Sequence, residues 1–221
     1  MSTGSGPAGG TAGAVFPREH LSGDVLDAAR ALLGAELVRL PEHPGGPVRT
    51  ARIVEVEAYR GRDDLASHAR MGRTVRNAPM FGPPGHAYVY LVYGMHHCLN
   101  VVTGPVGAPA AVLIRAVEPI LGIAAMRDAR TAAMRRPAAL PRDSRLAAGP
   151  ALVCACLGID RTASGLDLCD MTSPVHLRSG DAPAIVAAGP RIGIGYAGEP
   201  AVSVLWRLAD AASPALSRSF A

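Results

Sequence analysis

The chain of 221 residues contains no lysine. All 22 of its cationic side chains are arginine, whose guanidinium stays charged at any physiological pH. A GC-biased genome produces such a composition, but the exclusion holds whatever its cause. Schiff-base chemistry on a lysine amine, the P-loop lysine and the kinase-type lysine are all ruled out. Glutamine is also absent, asparagine occurs only at Asn77 and Asn100, and aromatics make up 4%. The four cysteines, Cys98, Cys154, Cys156 and Cys169, include no C-x-x-C pair, and the C-A-C run is too closely spaced for a zinc knuckle. Reduced thiols and no metal are expected. A chain of this length buries about 70% of its unfolded surface, so one core can hold it without such staples. There is no run of 18 apolar residues and no basic segment leading into an apolar one. The expectation is a soluble, cytoplasmic protein with no membrane partner.

What is present is unevenly distributed. Both asparagines and four of the five tyrosines, Tyr59, Tyr88, Tyr90 and Tyr93, fall between residues 59 and 100. Residues 50–145 carry 13 arginines against 7 acids, while the remainder carries 9 against 11. A basic middle interleaved with rings is the footprint of a nucleic-acid surface, although arginine runs also make ordinary solvated faces.

Residues 1–14 are Gly/Ala/Ser-rich and read as a flexible tail. The domain is expected over 15–208, with 209–221 frayed. A helix follows Ser22, with Ser22 or Asp24 as cap and Gly34 as stop. Strands are expected at 35–40, 52–59 and 110–117, a helical turn at 63–69, and helices at 119–136 and from Pro150 to Gly158. His86 to Val102 reads as a hairpin with Tyr93-Gly94 at its tip.

Alternation in the strand 52–59 predicts that Ile53, Glu55, Glu57 and Tyr59 point one way. At least one carboxylate then lies near a core face, where burial without a partner is costly. Either an arginine compensates it, or a dry cleft uses it, or the strand is an edge with solvated glutamates. Tyr93, at a tight tip with little core to pack into, suits insertion between bases, or else folds back on its own hairpin. Two other patterns carry little. Gly193, Gly195 and Gly198 match a dinucleotide fingerprint, but Glu199-Pro200 follows where its helix should run. His96-His97-Cys98 cannot all converge on a metal from one strand.

The segments Ile53–Tyr59, His68, Arg76-Asn77, Met80–Gly85, Tyr88–Met95, Cys98–Asn100 and Leu113–Pro119 together resemble the alkyladenine (3-methyladenine) DNA glycosylase family. The likeness extends from about residue 17 to 208, and its order and spacing are most specific across 53–119. One departure is Val75, where relatives often carry proline. The resemblance implies a single mixed α/β (α+β) domain: a curved, mostly antiparallel sheet with flanking helices and a protruding β-hairpin. It implies a monofunctional enzyme without cofactor or metal. Its partner would be double-stranded DNA containing damaged purines, on which it acts as a monomer.

By the same resemblance Glu57 would activate the hydrolytic water, helped by Arg115 and the backbone carbonyl near Ile192. Tyr59, His68 and Tyr90 would sandwich the flipped purine, and Asn100 would clash with the exocyclic amine of guanine. Tyr93 would fill the gap left in the duplex, with Met95 and Arg76 beside it on DNA.

The competing reading is a non-catalytic binder of distorted DNA or RNA that uses the same basic face. The absent lysines constrain the enzymatic reading further. Without a side-chain amine the nucleophile is water, and the product is an abasic site in an uncut strand. Borohydride is therefore expected to trap no covalent adduct with damaged DNA. A trapped species that survives deletion of residues 1–14 would refute this.

Overall fold

A computed structural model describes residues 13–136 and 138–220. Most of the tail expected over 1–14 lies outside the described residues. The first helix, α1 (Val25–Leu32), starts where Asp24 accepts a hydrogen bond from the Leu26 backbone N–H at 2.8 Å. It buries Val25, Ala28, Ala29 and Leu32. Gly34 then turns the chain at φ 88°, where a Cβ would stand 2.0 Å from the Asp181 carbonyl oxygen.

Eight strands form one antiparallel sheet: β1 (Glu36–Arg39), β2 (Arg49–Arg60), β3 (Ala87–Val92), β4 (His96–Val102), β5 (Ala110–Leu121), β6 (Val175–Arg178), β7 (Val186–Gly189) and β8 (Arg207–Asp210). Their order is β3-β4-β5-β2-β1-β6. The long central strand β2 has β5 along one side, and on the other it pairs first with β1 and then with β8, which carries β7. Two further helices, α2 (Ile123–Ala132) and α3 (Pro150–Leu157), lie against each other, and α3 packs on β4 and β5. The core between sheet and helices includes Leu32, Leu37, Ile53, Leu99, Ile114, Met126 and Leu157, all fully buried. Each such side chain contributes about 1.5–3 kcal/mol by leaving water. The mixed α+β domain with its hairpin is as expected.

Four local expectations need correction. First, the strand expected to end at 117 continues to Leu121, and the helix begins at Ile123 rather than Pro119. β4 flanks β5 only at residues 111–113, so Pro119 sits where one side of the strand is free of the ladder and a missing N–H is tolerated. The turn into the helix belongs to Gly122, at φ 73°, where a Cβ would meet the Val48 carbonyl oxygen at 2.3 Å.

Second, Ile53 does not share a side with Glu55 and Glu57. The β2–β5 register shifts between Ile53 and Glu55 and again between Glu55 and Val56. Strict alternation therefore breaks: Ile53, Val56 and Ala58 enter the main core, whereas Val54 packs with Ala116 and Ala215.

Third, residues 63–69 form consecutive turns instead of a helical one. The Asp64 carboxylate takes the backbone N–H groups of Arg60 and Ala66, and both its oxygens pair with Arg191 at 2.5 and 2.8 Å. Those bonds replace a helical ladder.

Fourth, the C-terminal segment does not fray. β8 runs to Asp210, Ala215 is fully buried, and the Ser217 backbone N–H donates to Glu55 at 2.6 Å. A buried carboxylate recruits this segment across 162 residues of sequence, a separation no periodicity reveals.

The Asp64–Arg191 pair is shut off from water, with side chains 1% and 0% exposed. Asp64→Ala would strand a buried guanidinium and is expected to lower the unfolding free energy by about 3–5 kcal/mol. Urea denaturation measures it, and a loss below about 1 kcal/mol would contradict the assignment.

Candidate active site

The register of the sheet brings distant tyrosines, asparagine and glutamate into one row. Tyr88 lies opposite Asn100, Asn100 opposite Leu113, and Leu113 opposite Glu57, so four adjacent strands present these residues on one face. Tyr59 and Tyr90, each two residues further along its strand, extend the row. A small cavity opens over it, lined by Tyr59, Ala66, His68, Met80, Tyr88, Tyr90, Asn100 and Tyr196. A larger cavity of about 940 Å³ lies between the hairpin and α2 and α3; it touches none of the rings or carboxylates of the row.

Both glutamates of β2 are fully buried, which excludes the edge-strand reading. The irregular register leaves Arg115 unpaired between Ile114, opposite Val56, and Ala116, opposite Glu55. Its guanidinium reaches both carboxylates, with Nε 3.3 Å from Glu55 Oε1 and Nη1 3.3 Å from Glu57 Oε1.

The two carboxylates differ in which groups hold them. Glu55 accepts from Arg207 Nη1 at 3.0 Å and from the Ser217 hydroxyl and backbone N–H at 2.9 and 2.6 Å, in addition to facing Arg115. Arg207, the Ser217 hydroxyl and Arg115 all approach Oε1, and the Ser217 backbone N–H takes Oε2. Glu57 accepts from the Ile192 backbone N–H at 2.8 Å on Oε1, which Arg115 also faces, and from the Tyr59 hydroxyl at 2.8 Å on Oε2. Burial pushes the Glu57 carboxyl above its usual range, against the opposing pull of Arg115, the Ile192 N–H and the Tyr59 hydroxyl. Burial raises the Tyr59 phenol well above its ordinary value, with Glu57 adding to the effect, so it remains a donor.

The rings are held from behind. Arg191 stacks between Tyr59 and Trp206, 4.7 and 5.0 Å from their centroids, and donates to the Ala58 carbonyl at 2.9 Å. His68 stands edge-on to Tyr90 with centroids 4.4 Å apart, and its Nδ1 is 3.0 Å from the Tyr88 hydroxyl. Asn77 fixes the loop that carries His68: its amide nitrogen donates to the His68 and Gly72 carbonyls, and its amide oxygen accepts from the Thr74 N–H. Asn100 donates to the Tyr88 carbonyl at 3.0 Å, which fixes its amide against the cavity.

Glu57, Tyr59, His68, Tyr90, Asn100, Arg115 and Ile192 thus converge. The other three predicted site residues lie outside. Arg76 is exposed at the lip, 5.8 Å over the Tyr90 ring. Tyr93 and Met95 occupy the hairpin tip, 88% and 47% exposed. Tyr93 and Gly94 both have positive φ, 52° and 70°, and Met95 N–H closes the turn on the Val92 carbonyl. A tyrosine in that region is strained, and here no packing accounts for it. Among the described residues no group of three or more His, Cys, Asp or Glu side chains can hold a metal, and no helix is long and apolar enough to cross a membrane.

A family model described as methylpurine-DNA glycosylase matches residues 19–214. The chain belongs to the methylpurine-DNA glycosylase family. It is 46% identical to a protein of Methanocella arvoryzae over 92% of this chain and 96% of that one. Identity is 47% with one from Anaeromyxobacter dehalogenans strain 2CP-C (92% and 86% covered) and 44% with one from Bacillus cereus strain G9842 (91% and 98%). All three are named "Putative 3-methyladenine DNA glycosylase".

Within this glycosylase, sequence reasoning passed over the supporting residues. Asp64 lies in the turn expected at 63–69, Asn77 in the segment Arg76-Asn77 and Ser217 in the tail expected to fray, and no local pattern gives any of them a supporting role. The scarcity of asparagine was the signal that pointed to Asn77.

His68 gives the site a measurable signature. Burial, with Arg76 adding to it, holds its imidazole below the ordinary value of 6.5, while burial lifts the Tyr88 phenol to about 12. The folded state therefore resists protonating His68, the unfolded chain does not, and stability falls as pH drops below 6.5. Imidazole nitrogen shifts should place the His68 midpoint below 6.5. A midpoint at or above 6.5 would contradict this environment.

Proposed function

We propose that this DNA glycosylase releases alkylated purines of the 3-methyladenine type from duplex DNA, using Glu57 to activate water for attack on C1′ of a flipped nucleotide. The product is an abasic site. The observation that carries the reading is the fully buried Glu57 carboxylate, held by Arg115, the Ile192 N–H and the Tyr59 hydroxyl beside a row of aromatic rings. A water donating to it is held by the carboxylate that takes its proton. Glycosidic cleavage develops positive charge on the sugar, and a buried carboxylate stabilises it without reorganisation. Arg115 keeps Glu57 charged in a dry site, and the carbonyl near Ile192 is a second acceptor for the same water.

The flipped base lies between Tyr59 on one side and His68 and Tyr90 on the other. An alkylated purine is cationic, so it stacks favourably on electron-rich rings and departs readily. Neutral His68 and the fixed Asn100 amide read its edge, Asn100 disfavouring guanine. The strained turn presents Tyr93 to the gap left in the duplex, and Met95 and Arg76 contact the flanking DNA. Extrusion costs a few kcal/mol, least for damaged pairs, which contributes to selectivity. On this reading a monomer acts on chromosomal DNA in the cytoplasm.

Single-turnover base release from a duplex carrying one 3-methyladenine tests the reading. Glu57→Gln is expected to abolish release while binding persists. In the wild-type protein the rate falls as pH drops through the Glu57 titration, and burial sets that fall above the range of a solvent-exposed glutamate. A wild-type protein that binds the duplex but releases no base would instead establish the non-catalytic binder.

A further inference from the structure

The second buried glutamate is not explained by a single general base. Glu55 is fully buried, none of its contacts lies in the ring-lined cavity, and it accepts from Arg207 and from both donors of Ser217 while facing Arg115. Its neighbours explain it. Arg115 Nε donates to the Ser217 hydroxyl at 2.9 Å, and that hydroxyl donates to Glu55 Oε1 at 2.9 Å. Ser217 therefore spends its one proton on Glu55 and accepts from Arg115. The Nε end of the guanidinium is fixed between Ser217 and Glu55, so its Nη1 faces Glu57 Oε1.

Ser217 is in turn fixed by its surroundings. The Arg218 and Ser219 carbonyls accept from Arg207 at 3.2 and 3.4 Å, and Arg207 stacks 3.7 Å over the Phe220 ring. The Leu216 carbonyl accepts from Arg145, and Ala215 is buried against Val54 and Ala116. Residues 215–220 lie beyond the stretch matched by the family model, which ends at residue 214.

We propose that Glu55 and Ser217 are positioning residues for base release, and that the C-terminal segment 213–220 is thereby part of the active site. They act through Arg115: by fixing its Nε end they aim its Nη1 at Glu57, which keeps the base charged and oriented toward water. The proposal rests on Glu57 being the base, as argued above. Two buried arginines, Arg115 and Arg207, balance two buried glutamates, and the hydroxyl of Ser217 is the one neutral link between Arg115 and Glu55.

Ser217 is half-buried, so Ser217→Ala removes the link with little disturbance of packing. With Arg115 less well aimed, Glu57 loses a charge that lowers its pKa, and the acid limb of the rate moves to higher pH. The experiment is single-turnover release of 3-methyladenine across pH for wild type, Ser217→Ala, Ser217→Thr and Glu57→Gln, with duplex affinity measured alongside. Ser217→Ala is expected to release base roughly ten-fold more slowly at neutral pH, as for loss of a hydrogen bond to a charged group. Its acid limb moves upward, its affinity is unchanged, and Ser217→Thr restores both rate and limb. A Ser217→Ala protein with wild-type rate and limb overturns the proposal while leaving the base reading intact, provided Glu57→Gln is inactive. An active Glu57→Gln protein overturns both.

Discussion

The site depends on one guanidinium placed between two carboxylates inside the sheet. Neither glutamate is tolerable there alone, because an unpaired buried charge costs several kcal/mol. Arg115 answers both, and it reaches both only because the β2–β5 register is irregular at that point. In a regular ladder a residue of β5 faces one partner on β2. The break frees Arg115 from that pairing and lets its two ends serve different residues. Local disorder of the ladder is thus what allows order in the charges.

The same arrangement separates two chemically identical side chains two residues apart. Glu55 is held by Arg207, Arg115 and both donors of Ser217, away from the rings, whereas Glu57 is held by Arg115, the Ile192 N–H and the Tyr59 hydroxyl, beside them. The difference does not come from burial, which is complete for both. It comes from which segments approach: the C-terminal segment closes on Glu55, and the loop at Ile192 closes on Glu57.

Much of this was legible in the sequence. The scarce tyrosines and asparagines marked the region of the cavity, and the hairpin, with its arms and tip, could be read from strand alternation and Tyr93-Gly94. The odd glutamates in an apolar strand marked the charge network. What could not be read has a common cause. The side assigned to Ile53 failed because alternation assumes a regular register, and the break depends on the neighbouring strand. The helix expected from Pro119 failed because a strand with one free side accommodates proline. Residues 209–221 were expected to fray because short polar and small residues have no periodicity, yet a carboxylate and arginines far away in sequence hold residues 215–220 in place. Local patterns reported local structure, and long-range charge compensation was invisible to them.

The attachment of the hairpin has a mechanical consequence. β4 joins the rest of the sheet only through residues 100–102, opposite 111–113, and the remaining pairs of β3 and β4 are made with each other. The hairpin is therefore a lever whose fulcrum is Asn100, with Tyr93 at its far end and α3 as the brace beneath. A load applied to the tip ring is delivered where Asn100 meets the cavity. The exposed tip ring and the Asn100 wall of the pocket thus belong to one two-stranded arm.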